Sequence, residues 1–273
     1  MAAFTHFPMP NERVITSGTT TIAVMPEINL VSHFQVGDWQ VLYRASETGN
    51  VKRWGIPLMI PNFGRLKDGL FEEKETTLPM HGFARNMPWS VVEHTETSIR
   101  LQLTSNEATR VSYPYDFVFT SEIVAGEGSL TYMLTMENKS DETMPIAPGF
   151  HPYFALDQGK KSRVIVNDLE GFNASTVHWD TSPPDNHYPF KQQASFAFPQ
   201  QGTLRIAEVP HAGHYLLKEM QVWSEPVTAP DHEFICFEPI VTHENGLNRP
   251  QDRINIAPHT QQQITLRLQA QPR

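Results

Sequence analysis

Ile264-Thr265-Leu266-Arg267-Leu268 decides the fold class. Aliphatic residues alternate with a hydroxyl and a guanidinium, and an extended backbone sorts such a series into one dry and one wet face because successive side chains point opposite ways. Ile99-Arg100-Leu101-Gln102-Leu103 repeats the pattern, and Leu130, Tyr132, Leu134 and Met136 carry the same period of two. Val164-Ile165-Val166 and Phe234-Ile235-Cys236-Phe237 have no polar face and read as short inner strands buried on both sides.

Between these segments, 22 prolines and 15 glycines punctuate the 273 residues, and no long capped stretch of 3.6-residue periodicity escapes them. Many short strands divided by turn residues predict an all-β chain built as a large antiparallel sandwich or barrel. There is no internal repeat and no shift of composition, so residues 1–273 read as a single domain closing with the strand at 264–268. The polar, proline-marked stretch from His178 to Gln193 reads as a long surface loop, and Gln261-Gln262-Gln263 as the lead into the last strand.

Apolar residues make up 39% of the chain and charged residues 19%, a balance that supports a buried core. The formal charge of −9 lacks the broad positive field that phosphate-backbone binding requires, so no nucleic-acid partner is expected. Met1 to Pro10 has neither a basic nor an apolar leader region, and no run approaches the roughly 18 apolar residues of a membrane span. A cytoplasmic protein without a membrane partner is expected. Cys236 is the only cysteine, which rules out an intramolecular disulfide and a cysteine-based zinc cluster. Its apolar neighbours make it a packed, inert thiol.

Several chemistries are absent by motif. The chain has no phosphate-cradling glycine loop, dinucleotide fingerprint, G-x-S-x-G elbow or H-E-x-x-H helix, so no cofactor is expected. His211 and His214 form an H-x-x-H pair without a third ligand nearby, and no metal is expected either. Four segments instead set ionisable groups among apolar ones: Pro61-Asn62-Phe63-Gly64-Arg65, His81-Gly82-Phe83-Ala84-Arg85, Pro148-Gly149-Phe150-His151-Pro152-Tyr153-Phe154 and Phe237-Glu238-Pro239. Burying such groups costs several kcal/mol unless partners or function offset it. His151 stands between aromatic walls, either as a hydrogen-bonded core histidine or as a proton-transfer group. Glu238 leaves a buried-looking strand, either as the partner of a core arginine or as a base whose pKa desolvation raises. Together they form a plausible acid and base.

These phrases, in this order, resemble the aldose 1-epimerase family over most of the chain, and the bacterial branch that carries H-G-F-A-R followed by P-W, here Pro88-Trp89. The resemblance implies a β-supersandwich with a sugar cleft on a curved antiparallel sheet, and no cofactor. It implies His151 as general acid and Glu238 as general base, with Arg65 and His81 holding the sugar's hydroxyl and ring oxygens and Arg85 as a further binding residue. Opening a hemiacetal needs a base at the C1 hydroxyl and an acid at the ring oxygen, and rotation about C1–C2 before reclosure exchanges the anomers. Pro152 stands where galactose mutarotases of the family place a small hydroxyl residue, which argues against galactose as the preferred sugar. The family also uses a mid-chain aspartate, for which Asp180 is the candidate because Trp179 beside it could stack on a sugar face.

A hexose-6-phosphate 1-epimerase is the nearest alternative, with Arg65, Lys67 and Arg85 as a phosphate clamp. Convergence of Arg85 with a second cation at one end of the cleft would favour it. A non-catalytic carbohydrate-binding protein is a second alternative, with Trp54, Trp89 and Trp179 as its platform, although a binder needs neither acid nor base. A glycosidase needs two carboxylates flanking the bond, and only one stands out here.

Overall fold

The structure is a computed structural model that describes residues 11–44 and 53–273. Its largest element is an eight-stranded antiparallel sheet whose order is Ile165–Asn167, Gln193–Phe198, Gly202–Val209, Gln261–Pro272, Ser129–Asn138, Phe117–Gly126, Ser98–Thr104 and Ser90–His94. Two of the alternating segments, in Ser129–Asn138 and Gln261–Pro272, lie at its centre, and the third, in Ser98–Thr104, lies one strand from its edge. Phe117–Gly126 is buried at every second residue from Phe117, and Ser129–Asn138 at every second residue from Leu130. The register sets Leu130 opposite Leu268, Tyr132 opposite Leu266 and Leu134 opposite Ile264, so the dry faces coincide.

A second, six-stranded sheet runs in the order Asp185–Pro189, Glu219–Trp223, Phe234–Ile240, Gly149–Phe150 and Leu58–Met59, with Tyr153–Ala155 also paired to Phe234–Ile240. It packs face to face on the first. Phe237 stacks on Phe196 at 3.8 Å between ring centres, and Phe150 meets Tyr132 edge-on at 5.0 Å. A four-stranded sheet of Arg13–Ser17, Thr20–Met25, Leu30–Val36 and Trp39–Gln40 closes one side, and one apolar cluster from Ile15 to Ala270 draws on all three sheets. Each fully buried aliphatic or aromatic side chain in it contributes roughly 1.5–3 kcal/mol. The described residues include one α-helix, Glu107–Ser112, and no helix long and apolar enough to cross a membrane.

Three expectations need correction. Ile165–Asn167 is an edge strand with Ile165 64% exposed, not an inner strand buried on both faces. An apolar run of three residues is too short to separate an edge from an interior, and here Val164 alone of Val164 and Ile165 packs inward. The stretch from His178 to Gln193 contains the edge strand Asp185–Pro189, whose polar composition reflects one face turned to a cleft and to water. Gln261, Gln262 and Gln263 belong to the last strand and pair with Glu137, Met136 and Thr135. Phe234–Ile240, by contrast, is buried along its whole length, Cys236 included.

Candidate active site

The six-stranded sheet carries two kinds of side chain on opposite faces of its central strand. Ile235 and Phe237 enter the main core, whereas Cys236 and Glu238 face the other way. Register then builds rows across the sheet. Asp185 pairs with Trp223, which pairs with Cys236, which pairs with Tyr153; His187 pairs with Gln221, which pairs with Glu238. All of these residues except the deeper Cys236 line a cleft of about 400 Å³. A slip of one residue would turn this cleft-lining row into the core, so the hydrophobic face that fixes the register also fixes the cleft.

His151 sits between the strands Gly149–Phe150 and Tyr153–Ala155, where its backbone N–H donates to the Pro57 carbonyl at 3.0 Å. Its Nδ1 lies 3.5 Å from Oε1 of Glu238, within ion-pair reach but off line for a hydrogen bond, and Oε2 of Glu238 has no hydrogen-bond partner among the described residues. The Tyr153 hydroxyl lies 3.4 Å from Nε2, and the two rings stack at 4.6 Å with 4° between their planes. Trp223 stands edge-on to both rings. The imidazole is therefore held in plane by aromatic walls.

Burial drives the two groups in opposite directions. The Glu238 carboxyl is pushed well above its ordinary pKa, first by desolvation and then by Asp185, with Arg85 opposing. The His151 imidazole is pushed well below its ordinary value by desolvation, then by His81, Arg85 and Arg53. Both groups are thus favoured in their neutral forms, facing each other across one short gap.

His81 lies beside this pair, its ring 5.5 Å from that of His151. It adopts a left-handed φ of 64°, as does Gly82 at 68°. The Gly64 N–H donates to His81 Nδ1 at 3.1 Å, and the His81 N–H returns to the Gly64 carbonyl at 2.9 Å. Desolvation, Arg85 and Arg65 pull its pKa down to about 3, so the ring is neutral. With Nδ1 accepting, the proton of that neutral ring belongs on Nε2, which becomes a donor for an oxygen in the cleft.

Arg65 and Arg85 both line the cleft. Neither makes an ion pair among the described residues, and Arg85 makes only a long 3.4 Å bond to the Met80 carbonyl. Arg85 is half-buried and acts electrostatically on Tyr153 and Glu238, so it sits nearer the His151–Glu238 pair than its place four residues after His81 implies. Arg53 also lines the cleft but is bound to Glu225 at 2.6 Å. Lys67 is exposed and outside the cleft lining.

The structure does not bring Asp180 to this site. It is exposed, lies outside the cleft lining and accepts from Gln158 Nε2 at 3.0 Å. Trp179 is buried, with its Nε1–H donated to the Ala174 carbonyl, and Trp54 and Trp89 are buried as well, so none of the three offers a sugar platform. The aspartate and tryptophan that do line the cleft are Asp185 and Trp223, with Gln221 donating to Asp185 at 2.6 Å. Sequence reasoning missed them because their positions depend on pairing between distant strands. The one available signal was the alternation of Asp185 and His187 inside a stretch read as loop. His211 and His214 form an exposed turn away from the cleft.

A family model described as aldose 1-epimerase matches residues 47–227. Curated relatives from Salmonella typhimurium and Escherichia coli K12, both provisionally named glucose-6-phosphate 1-epimerase, are 34% and 28% identical over 149 residues, 52% of this chain and 46% of each relative. The match thus spans about half the length of those proteins. Among solved structures, a Synechocystis sp. PCC 6803 protein superposes with a TM-score of 0.84 at 21% identity over 100% of both chains. A galactose mutarotase related enzyme from Lactobacillus acidophilus gives 0.75 at 21% identity, over 95% of this chain and 97% of the other.

Proposed function

We infer that this chain, which belongs to the aldose 1-epimerase family, interconverts the α and β anomers of an aldose by opening and reclosing its ring. The observation that carries the reading is the buried pair of His151 and Glu238, 3.5 Å apart on the floor of a cleft large enough for a monosaccharide. From the form in which the pair's single proton sits on His151, Glu238 takes the proton from the C1 hydroxyl, His151 gives one to the ring oxygen, and the C1–O5 bond breaks to leave an open-chain aldehyde. Rotation about C1–C2 presents the other carbonyl face, and the reverse transfers close the ring. His81 and Arg65 supply donors to the sugar oxygens, and Asp185 supplies an acceptor. No metal takes part in this scheme. Residues 1–273 are read as one working unit, supported by the apolar cluster that runs from Ile15 to Ala270.

The test is saturation-transfer NMR of anomer exchange, in buffer with EDTA, across a panel of free and 6-phosphorylated aldoses. Exchange above the uncatalysed rate on at least one sugar is expected. Exchange at the background rate on every sugar would leave a binding protein as the better account.

A 6-phosphorylated hexose is favoured as substrate by one observation: Arg65 and Arg85 face the same cleft, and neither forms an ion pair among the described residues. Two uncompensated guanidinium groups suit a dianion, since charge-assisted contacts to phosphate are strong and bidentate. Arg65→Ala is expected to weaken every aldose. Arg85→Ala is expected to raise KM for the 6-phosphate sugar about ten- to a hundredfold more than for the free sugar, from the roughly 1.5–3 kcal/mol of such a contact. A change in kcat common to both sugars would report the field of Arg85 on Glu238 instead. Equal KM changes for the two sugar classes would remove the phosphate reading.

A further inference from the structure

Away from His151 and Glu238, the described residues hold a second cluster of metal-ligating chemistry. His187 lies on the edge strand Asp185–Pro189, Glu219 opens the neighbouring strand Glu219–Trp223, and His243 follows Phe234–Ile240. The two imidazoles stack at 4.3 Å with 7° between their planes, and His243 Nδ1 is 3.0 Å from a Glu219 oxygen. One ligand atom from each of the three residues lies within 4.8 Å of the others. His187 and His243 line the cleft, and His187 is exposed while the other two are half-buried, so the cluster is open to solvent at the cleft's rim.

We propose that His187, Glu219 and His243 bind one divalent transition-metal cation of the zinc type at the rim of the cleft. Two imidazoles and one carboxylate form a donor set of borderline softness, which favours zinc, cobalt or nickel over magnesium or calcium. Three protein ligands leave a fourth tetrahedral position for water. Two nitrogens on a tetrahedral zinc stand about 3.3 Å apart, so the ligand atoms close by up to about 1.5 Å and the rings turn out of their stack. An exposed His187 and a half-buried His243 have the freedom to make that movement. Glu219 already stands 3.0 Å from Nδ1 of His243, and in the metal-bound form its carboxylate turns to the cation as the third ligand. This site is separate from the proposed proton-transfer pair, and its existence does not depend on the epimerase reading.

His151, Cys236 and Glu238 form another group with the same spacing, but all three are buried and desolvation raises the Cys236 thiol well above its ordinary pKa. The thiolate that zinc requires is therefore disfavoured there.

The experiment is calorimetric titration of EDTA-stripped, desalted full-length protein with zinc chloride, compared with magnesium chloride. One zinc per chain is expected, with no comparable magnesium binding. The affinity is expected to fall at least about tenfold in both His243→Ala and Glu219→Gln, the scale on which ligand and outer-shell losses act, and to stay within about twofold in Cys236→Ser. Thermal melting of each variant separates lost binding from lost fold. Full zinc affinity in a folded His243→Ala or Glu219→Gln protein, or its loss in a folded Cys236→Ser protein, would overturn the assignment. So would the absence of a one-to-one zinc site in the parent protein.

Discussion

Glu238→Gln and His151→Ala are each expected to lower anomer exchange about 10²–10⁴-fold, the usual contribution of one positioned acid or base. The two losses are not expected to add, because ring opening needs both proton transfers and the absence of either stalls the same step. Activity and stability separate at these positions. Burial raises the Glu238 carboxyl well above its ordinary pKa, so folding near neutrality carries the cost of protonating it; the amide has no such cost, and the melting temperature is expected to hold or rise. A Glu238→Gln protein that retains exchange within tenfold of the parent would remove Glu238 from the reaction.

The opposed pKa directions also set the pH profile. Between the depressed value of His151 and the raised value of Glu238 the pair holds one proton in total. The productive form, a carboxylate beside an imidazolium, holds that same single proton. Its share of the population is therefore independent of pH across this window, and a flat rate through neutrality is expected. Above the raised carboxyl value the pair loses its proton and the rate falls. Below the depressed imidazole value a second proton arrives, the carboxylate disappears and the rate falls again. A steep slope of exchange rate around pH 6.5, roughly where an unshifted histidine titrates, would contradict the shared proton.

What the sequence disclosed follows the range of the interactions involved. Period-two alternation is local, so the strands around Leu101, Leu134 and Leu266 could be read directly, and all three belong to one sheet. His151 and Glu238 stood out because each places a polar group among aromatic or aliphatic neighbours in sequence, and the fold sets them 3.5 Å apart. Asp185, Gln221 and Trp223 carry no such local mark. They share a cleft because Asp185–Pro189 pairs with Glu219–Trp223 at one register, a property of two segments whose paired residues lie 30 to 38 positions apart. Asp180 failed as a candidate for the same reason, since a turn aspartate next to a tryptophan looks the same whether the indole faces a sugar or the core. Arg85 was legible as a cation near His81 but not as a neighbour of Glu238, because its reach depends on how the chain bends after Gly82.

Because of that bend, Gly82→Ala is expected to lose far more stability than Gly37→Ala. Both glycines have left-handed backbones, with φ of 68° and 54°, so alanine meets an intrinsic cost of about 1–2 kcal/mol at either position. At Gly37 a new Cβ meets nothing within 4 Å. At Gly82 it would stand 1.9 Å from the Ile60 carbonyl oxygen and 2.2 Å from its carbon, atoms of backbone that cannot swing aside as a side chain can. Ile60 and Gly82 form a parallel bridge, and the Ala84 N–H donates to the same Ile60 carbonyl at 3.2 Å, so relieving the clash means separating the two segments. Overpacking of this kind adds about 1–3 kcal/mol or more. At about 2–4 °C per kcal/mol for a chain of this size, Gly82→Ala is expected to melt roughly 10 °C or more below the parent, and Gly37→Ala only a few degrees below. The functional consequence comes through His81, the residue before Gly82, whose ring is fixed by the Gly64 N–H. Separating the segments moves that ring away from His151, so exchange is expected to fall in Gly82→Ala even at temperatures where the protein is still folded. Similar melting temperatures for the two variants would show that the chain around Ile60 and Gly82 yields more easily than its backbone contacts indicate.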